Sequence, residues 1–197
     1  MTWLPGPVQG MHYRLYLIVD IYSRKIVGWE IWETETGFHA STLIKKAVIA
    51  EKIKGQPLVL HSDNGSPMKA ATFRSLLEKL GITSSFSRPR VSNDNAFSEA
   101  LFRTCKYRPD FPYQGFSSIA AARAWVKKFV NWYNQKHHHS GLQFVTPGQR
   151  HDGSDRNILA QRRAVYERAR QRHPERWARH TRHWTLPDTV ALNSIKQ

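Results

Sequence analysis

The sequence predicts an α/β fold, and three observations carry that expectation. Two stretches rich in β-branched and aromatic side chains, 13–21 and 26–32, flank a short polar break. Helical and strand-like patterns then alternate as far as residue 86. The resulting order of hairpin, helix, strand, helix and strand suits a mixed sheet with helices on its faces.

Each element follows from its local pattern. Met1 to Gly6 reads as the end of a strand running into a turn. Tyr13–Ile21 (YRLYLIVDI) and Ile26–Trp32 (IVGWEIW), joined through Tyr22-Ser23-Arg24-Lys25, read as a β-hairpin. From His39 to Lys54, Leu43, Ala47, Ile49, Ala50 and Ile53 recur at roughly helical spacing, with Lys45, Lys46, Glu51 and Lys52 between them. Gly55-Gln56-Pro57 closes that amphipathic helix. Leu58 to His61 has the apolar run of a buried strand and delivers Ser62, Asp63, Asn64 and Gly65 at its carboxyl end. Phe73, Leu76, Leu77 and Leu80 mark a helix ended by Gly81, and Ile82–Phe86 reads as another short strand.

A polar, basic linker (Ser87–Asp94, SRPRVSND) leads to a helix over Asn95–Tyr107, with Phe97, Ala100, Leu101 and Thr104 along one side. A longer helix, Ser117–Asn134, carries Ile119, Ala122, Trp125, Val126, Val130 and Tyr133 and is expected to pack across the sheet. Past His137–His139, Thr146-Pro147 starts a further helical piece. Between Arg156 and Arg182 nine arginines face only Glu167 and Glu175, the pattern of a basic helical tail. The division expected is a core over 1–150 and a tail over 151–197.

Composition narrows the function class. With 30 Lys and Arg against 15 Asp and Glu, the formal charge is +15, while 40% hydrophobic residues and seven Trp argue for a folded chain. A folded, strongly basic protein favours a polyanion, nucleic acid foremost, because each neutralised phosphate releases counterions. The single cysteine, Cys105, excludes an internal disulfide and a cysteine-based zinc site, and reads as a small core residue in a reducing cytoplasm. Residues 1–20 lack the layout of a secretion signal and no apolar stretch reaches ~18 residues. A soluble, intracellular protein with no membrane partner is expected.

Two acids stand out. Asp63 ends a strand, and Glu99 follows 36 positions later on a helix, after a basic loop. A carboxylate at a strand end is often only a solvated turn residue. A pair so delivered is also what phosphodiester chemistry with two divalent cations requires, since hard Mg²⁺ is held by a few carboxylate oxygens and waters.

His61-Ser62-Asp63-Asn64-Gly65 followed by Glu99 resembles the second and third acids of the integrase and insertion-sequence transposase superfamily, whose fold is related to ribonuclease H. Tyr16-Leu17-Ile18-Val19-Asp20 with Ser23-Arg24-Lys25-Ile26-Val27-Gly28-Trp29 is similar to the hairpin signature of bacterial insertion-sequence transposases. Asp94-Asn95-Ala96, Ser98-Glu99, Phe102-Arg103-Thr104 and Lys106-Tyr107-Arg108-Pro109 resemble their third-acid helix. Trp132-Tyr133-Asn134, His139 and Thr146-Pro147 resemble the closing helix and its turn.

The resemblance implies a mixed five-stranded sheet flanked by helices, and a polynucleotidyl transferase that binds two Mg²⁺ or Mn²⁺ ions. Such an enzyme cuts at transposon ends and uses the freed 3′-hydroxyl to attack target DNA, as a homo-oligomer on DNA. Asp63 and Glu99 become catalytic metal ligands. Arg103 and Lys106, at i+4 and i+7 from Glu99, become DNA-binding residues, together with Asn64 in the strand-end turn. The family's first acid lies two residues before a Thr that aligns with Thr2, so it is expected immediately upstream of Met1; the chain then reads as truncated and inactive alone. Asp20 is read as a turn residue beside Ser23-Arg24, not as a substitute.

Rival readings stay open at this level. Arg103 and Lys106 also fit a solvated helix face with an ion pair to Glu99. The Arg-rich tail fits either contact with DNA phosphates or a solvated helix docked through Trp177 and Trp184. His137–His139 fit a cap or a phosphate-facing turn better than a metal site. At the level of function, a non-catalytic DNA-binding relic and a nuclease that cuts without joining remain alternatives, which analysis of the DNA products separates.

Overall fold

The computed structural model describes residues 1–53, 55–89 and 91–192; for Ser92 and Asn93 only the backbone is described. Lys54, at the end of the helix expected from His39, Arg90 in the expected linker, and 193–197 of the tail lie outside the described residues. The chain forms two compact units. Among the described residues one comprises 1–20, 26–129 and 191–192, the other 21–25 and 130–190.

In the first unit β1 (Thr2–Pro5), β2 (His12–Val19) and β3 (Ile26–Trp32) form an antiparallel sheet in that order. Thr2 pairs with Leu15, and Leu15 with Ile31. Helix α1 (Gly37–Ala50) follows, capped by Thr36, whose hydroxyl accepts the His39 N–H. Ala40, Leu43, Ile44 and Ala47 recur on one face and are buried, which places α1 against β3 and α3. Gly28 explains how close α1 can come, because a Cβ there would stand 3.2 Å from the Ala47 Cβ and 3.4 Å from a Leu43 methyl.

Strand β4 (Leu58–Ser62) runs parallel to β5 (Ile82–Phe86), with Ser62 paired to Phe86. The five expected strands are thus present, their ladders grouped as three antiparallel and two parallel. Unlike the buried strand expected, β4 has one open face: Val59 is 63% exposed, while Leu58 and Leu60 pack on the core. Alternation along a strand sends neighbours to opposite faces, and only one face is covered here. A short α2 (Ser66–Lys69), not expected from the pattern, precedes α3 (Ala71–Lys79), and the two helices complete this layer. The core joins Tyr16, Ala40, Leu43, Ile44, Phe73, Leu77 and Ile82.

After a 3₁₀ turn at Ser92–Asn95 comes α4 (Ala96–Lys106), and then α5 (Ile119–Gln135), whose residues 119–129 belong to this unit. Trp125 stacks on Phe129 and meets Phe111 and Phe116 edge-on. Gly115 has φ +108, and a Cβ there would overlap the Gly6 carbonyl oxygen, so the chain can cross here only as glycine.

In the second unit α6 (Pro147–His151) opens with a capping box, Thr146 and Gln149 each bonding the other's backbone N–H. Helix α7 (Asp155–Arg172) ends at His173, which precedes Pro174 and has left the helical region, with φ −139 and ψ 62. The basic tail is therefore α-helical only as far as Arg172, with a single 3₁₀ turn at Pro174–Arg176 beyond it, and not through Arg182. Trp184 returns to join Leu142, Val145 and Leu159 in this unit's own core. Of the two tryptophans expected to dock, Trp184 is buried (7% exposed).

Candidate active site

Parallel pairing of β4 with β5 brings their carboxyl ends side by side, and Asp63 is the residue that follows β4. Its Oδ1 accepts the Gly65 N–H at 3.0 Å, which fixes the turn. Asn64 donates from Nδ2 to the Ser87 carbonyl at 2.7 Å, and Ser87 N–H donates to the Ser62 carbonyl at 3.0 Å. The His61 ring lies between the hydroxyls of Ser85, 3.0 Å from Nδ1, and Ser87, 3.2 Å from Nε2. The side chain read as a DNA contact, Asn64, thus ties the Asp63 turn to the segment that leads from β5 to α4.

That segment is held a second time. Arg88 donates its backbone N–H to Asp94 Oδ2 at 2.7 Å, and its guanidinium bonds both carboxylate oxygens at 3.1 and 2.9 Å. Asp94 is 2% exposed, and the ion pair raises the Arg88 pKa above its usual range. The sequence marked Asp94 only through the resemblance; its part in holding the approach to α4 shows in the structure. At the entrance of α4 the Ser98 hydroxyl bonds Asn95.

Helix α4 buries Leu101 and Cys105 and exposes Glu99 and Arg103, with Lys106 half-exposed. Glu99 stands in the first turn, and Arg103 and Lys106 in the last, an arrangement the helix dipole favours. The ion pair of the rival reading, between Glu99 and Arg103, is not formed: among the described residues no bridge within 4 Å joins them, and Arg103 instead lies over the Tyr107 ring at 5.5 Å.

Asp63 also acts on the β1–β2 edge. Burial lowers the pKa of the Met1 amino group, and the Asp63 and Glu35 carboxylates work against that shift. Burial raises the Tyr16 phenol, a shift to which Glu35 and Asp63 add. Glu35, which the pattern did not single out, pairs with Arg14 at 3.6 Å. Asp20 follows the end of β2 at Val19, just before the turn that leads into β3. Among the described residues no group of three His, Cys, Asp or Glu could hold a metal ion.

Two models of the integrase core domain match the chain, over residues 1–92 and 80–147. The chain belongs to the integrase core domain family. It is 32% identical over 151 residues to the transposase for insertion sequence element IS904 of Lactococcus lactis subsp. lactis, covering 75% of this chain and 57% of that one. To a putative transposase for insertion sequence element IS986/IS6110 of Mycobacterium tuberculosis it is 26% identical over 126 residues, covering 60% and 44%. The chain thus spans about half the length of these curated relatives.

Among solved structures, the catalytic core domain of BIV integrase matches with a TM-score of 0.53 at 21% identity, over 73% of this chain and 88% of that one. A chain of a simian T-cell lymphotropic virus intasome complex matches with 0.54 at 18%, over 76% and 52%. These neighbours make the fold that of an integrase catalytic core, ribonuclease-H-like. No helix among the described residues is long and apolar enough to cross a membrane.

Proposed function

We propose that the chain is the catalytic core of a DNA transposition enzyme, with residues 1–150 as the core and 151–197 as a basic appendage. Asp63 and Glu99 are the proposed catalytic metal ligands. The observation that carries the reading is the Asp63 turn, fixed by Gly65 and tied through Asn64 to the segment that leads into the helix of Glu99.

Mg²⁺ or Mn²⁺ suits the donors offered, two carboxylates without sulfur or a histidine cluster. When bound, two such ions would activate the attacking oxygen and stabilise the leaving one. The chain's own residues do the rest. Arg103 and Lys106 hold the phosphates beside the scissile bond, Asn64 sets the Asp63 turn, and Asp94 steadies the approach to α4.

A two-ion site needs a third carboxylate, and the proposed position is directly ahead of Met1, whose amino group feels Asp63 and Glu35. Chain 1–197 is then expected to bind DNA without turnover. The same chain with one Asp added before Met1 is expected to cut and join DNA ends in Mg²⁺, and Asp63→Asn or Glu99→Gln to abolish this. Joined products from 1–197 itself, lost on Asp63→Asn, would overturn the need for that third acid. Cuts without joining would favour a nuclease. If neither form makes products yet both bind DNA, the protein is a DNA-binding regulator. Assembly as a homo-oligomer on DNA is read from the mass of the complex in solution.

A further inference from the structure

The second unit contains a cleft that the chemistry above does not use. It is lined by Arg150, Asp155, Arg156, Arg163, Trp184 and Thr185 among others and has a volume of about 270 Å³. Two of these side chains are more than nine-tenths buried, Arg150 at 4% and Trp184 at 7% exposed. Each carries a buried N–H with no hydrogen-bond partner: Nε of Arg150 and Nε1 of Trp184.

Neither group can rotate away to find one. The Arg150 guanidinium donates from Nη1 to Asp155 and from Nη2 to the Pro187 carbonyl, both at 2.5 Å, and lies 4.0 Å from the centre of the Tyr22 ring. The Trp184 ring is packed on Leu142, Val145 and Leu159, with the Arg182 and Arg162 guanidiniums 5.0 and 5.6 Å from its centre. Both orphan groups are donors and can never accept, so whatever satisfies them must bring acceptor atoms.

The charge of the lining selects the kind of acceptor. Arg156 and Arg163, seven residues apart on α7, stand on one flank of the helix and are exposed. Of the two carboxylates, Asp155 is engaged by Arg150, and Asp188 is 92% exposed, at 4.0 Å from Arg156. An anionic oxygen ligand fits, and a tetrahedral phosphate has both the size and the several acceptor oxygens that separate donors require.

We infer that the cleft between α7 and residues 184–188 is a phosphate site that holds a phosphodiester group of the DNA backbone. The occupant is DNA because the positive surface does not stop at the cleft: nine arginines between 156 and 182 follow one another along this unit, a layout for a repeating polyanion. The inference rests on the DNA reading proposed above and adds residues to it that belong to neither Asp63, Glu99 nor α4.

The test uses the full chain labelled with ¹⁵N. The indole resonance of Trp184 is assigned by its absence in Trp184→Phe, which removes the donor and keeps an aromatic side chain. It is then followed during titration with a short DNA duplex and, separately, with inorganic phosphate. The expected result is a shift with both. In Arg156→Gln/Arg163→Gln, two exposed changes that leave the core intact, the shift with DNA is lost. The slope of log K against log salt also drops by roughly 0.9, for the one phosphate the cleft holds.

DNA binding with a stationary Trp184 signal and an unchanged slope in that variant would overturn the site and leave the proposed function standing. A shift with phosphate alone, in a chain that binds no DNA, would overturn the DNA assignment together with the proposed function. If Trp184→Phe fails to fold, the slope of the double arginine variant decides.

Discussion

Cys105 is fully buried on the inner face of α4, and burial pushes its thiol up to about 12. The thiolate needed for reaction is therefore scarce and out of reach. Labelling of the native chain by a thiol reagent is expected to track global unfolding, measured as equal midpoints of labelling and loss of helix in urea. His139 makes the opposite use of burial. Its Nδ1 accepts the Gly141 N–H at 3.1 Å and so must carry no proton. Burial lowers its pKa from 6.5 to about 4, helped by His137 and Arg24. Above the unfolded value neither state is charged and pH has no effect through this group. As pH falls from 6.5 toward 4 the unfolded chain takes up a proton that the folded chain refuses, and stability is lost. The melting temperature should decline over that window, less steeply in His139→Asn. The histidine triplet was readable as a cap from its place in a turn; which ring caps, and with which nitrogen, depends on its surroundings.

Among the elements, α4 and its approach came out of the sequence well, because an apolar stripe and a basic linker leave local traces. The burial of strand β4 did not, since a four-residue apolar run says nothing about whether a second layer covers it, and Val59 is left open. Helix α2 is four residues long, too short for any periodicity to show. At the start of α7 the buried pair Arg150–Asp155, 4% and 2% exposed, joins that helix to α6. Arg150→Leu strands the Asp155 charge and is expected to cost about 3–5 kcal/mol in denaturant unfolding. Adding Asp155→Leu should recover part of it, since no unpaired charge then remains. Thr146→Ala, which opens the α6 capping box, should cost about 1 kcal/mol.

For the whole molecule, a formal charge of +15 makes DNA affinity strongly salt-dependent. Arg103→Gln/Lys106→Gln should shallow that dependence by roughly 1.8, at ~0.9 for each phosphate no longer neutralised, without moving the melting temperature, because Arg103 is exposed and Lys106 half-exposed. An unchanged slope in a salt titration would remove α4 from the DNA surface. Asp63→Asn and Glu99→Gln are expected to keep DNA binding, which separates the chemistry from the electrostatics that brings substrate.

By itself the sequence determined the α/β class, the five strands, the place of Asp63 after a strand and of Glu99 on a helix, and a basic character that favours nucleic acid. These are local or additive properties, carried by side-chain periodicity, turn residues and summed charge. Only the tertiary structure decided what each polar group is bonded to. It turned Asn64 toward the Ser87 carbonyl, set Asp94 against Arg88, and moved Arg103 from Glu99 to the Tyr107 ring. It also folded the Arg-rich tail back so that Trp184 is buried beside Leu159. Such pairings join residues far apart in the chain or choose among near neighbours, and spacing alone does not rank them; burial does, because a buried donor or charge must find its partner where packing has left one.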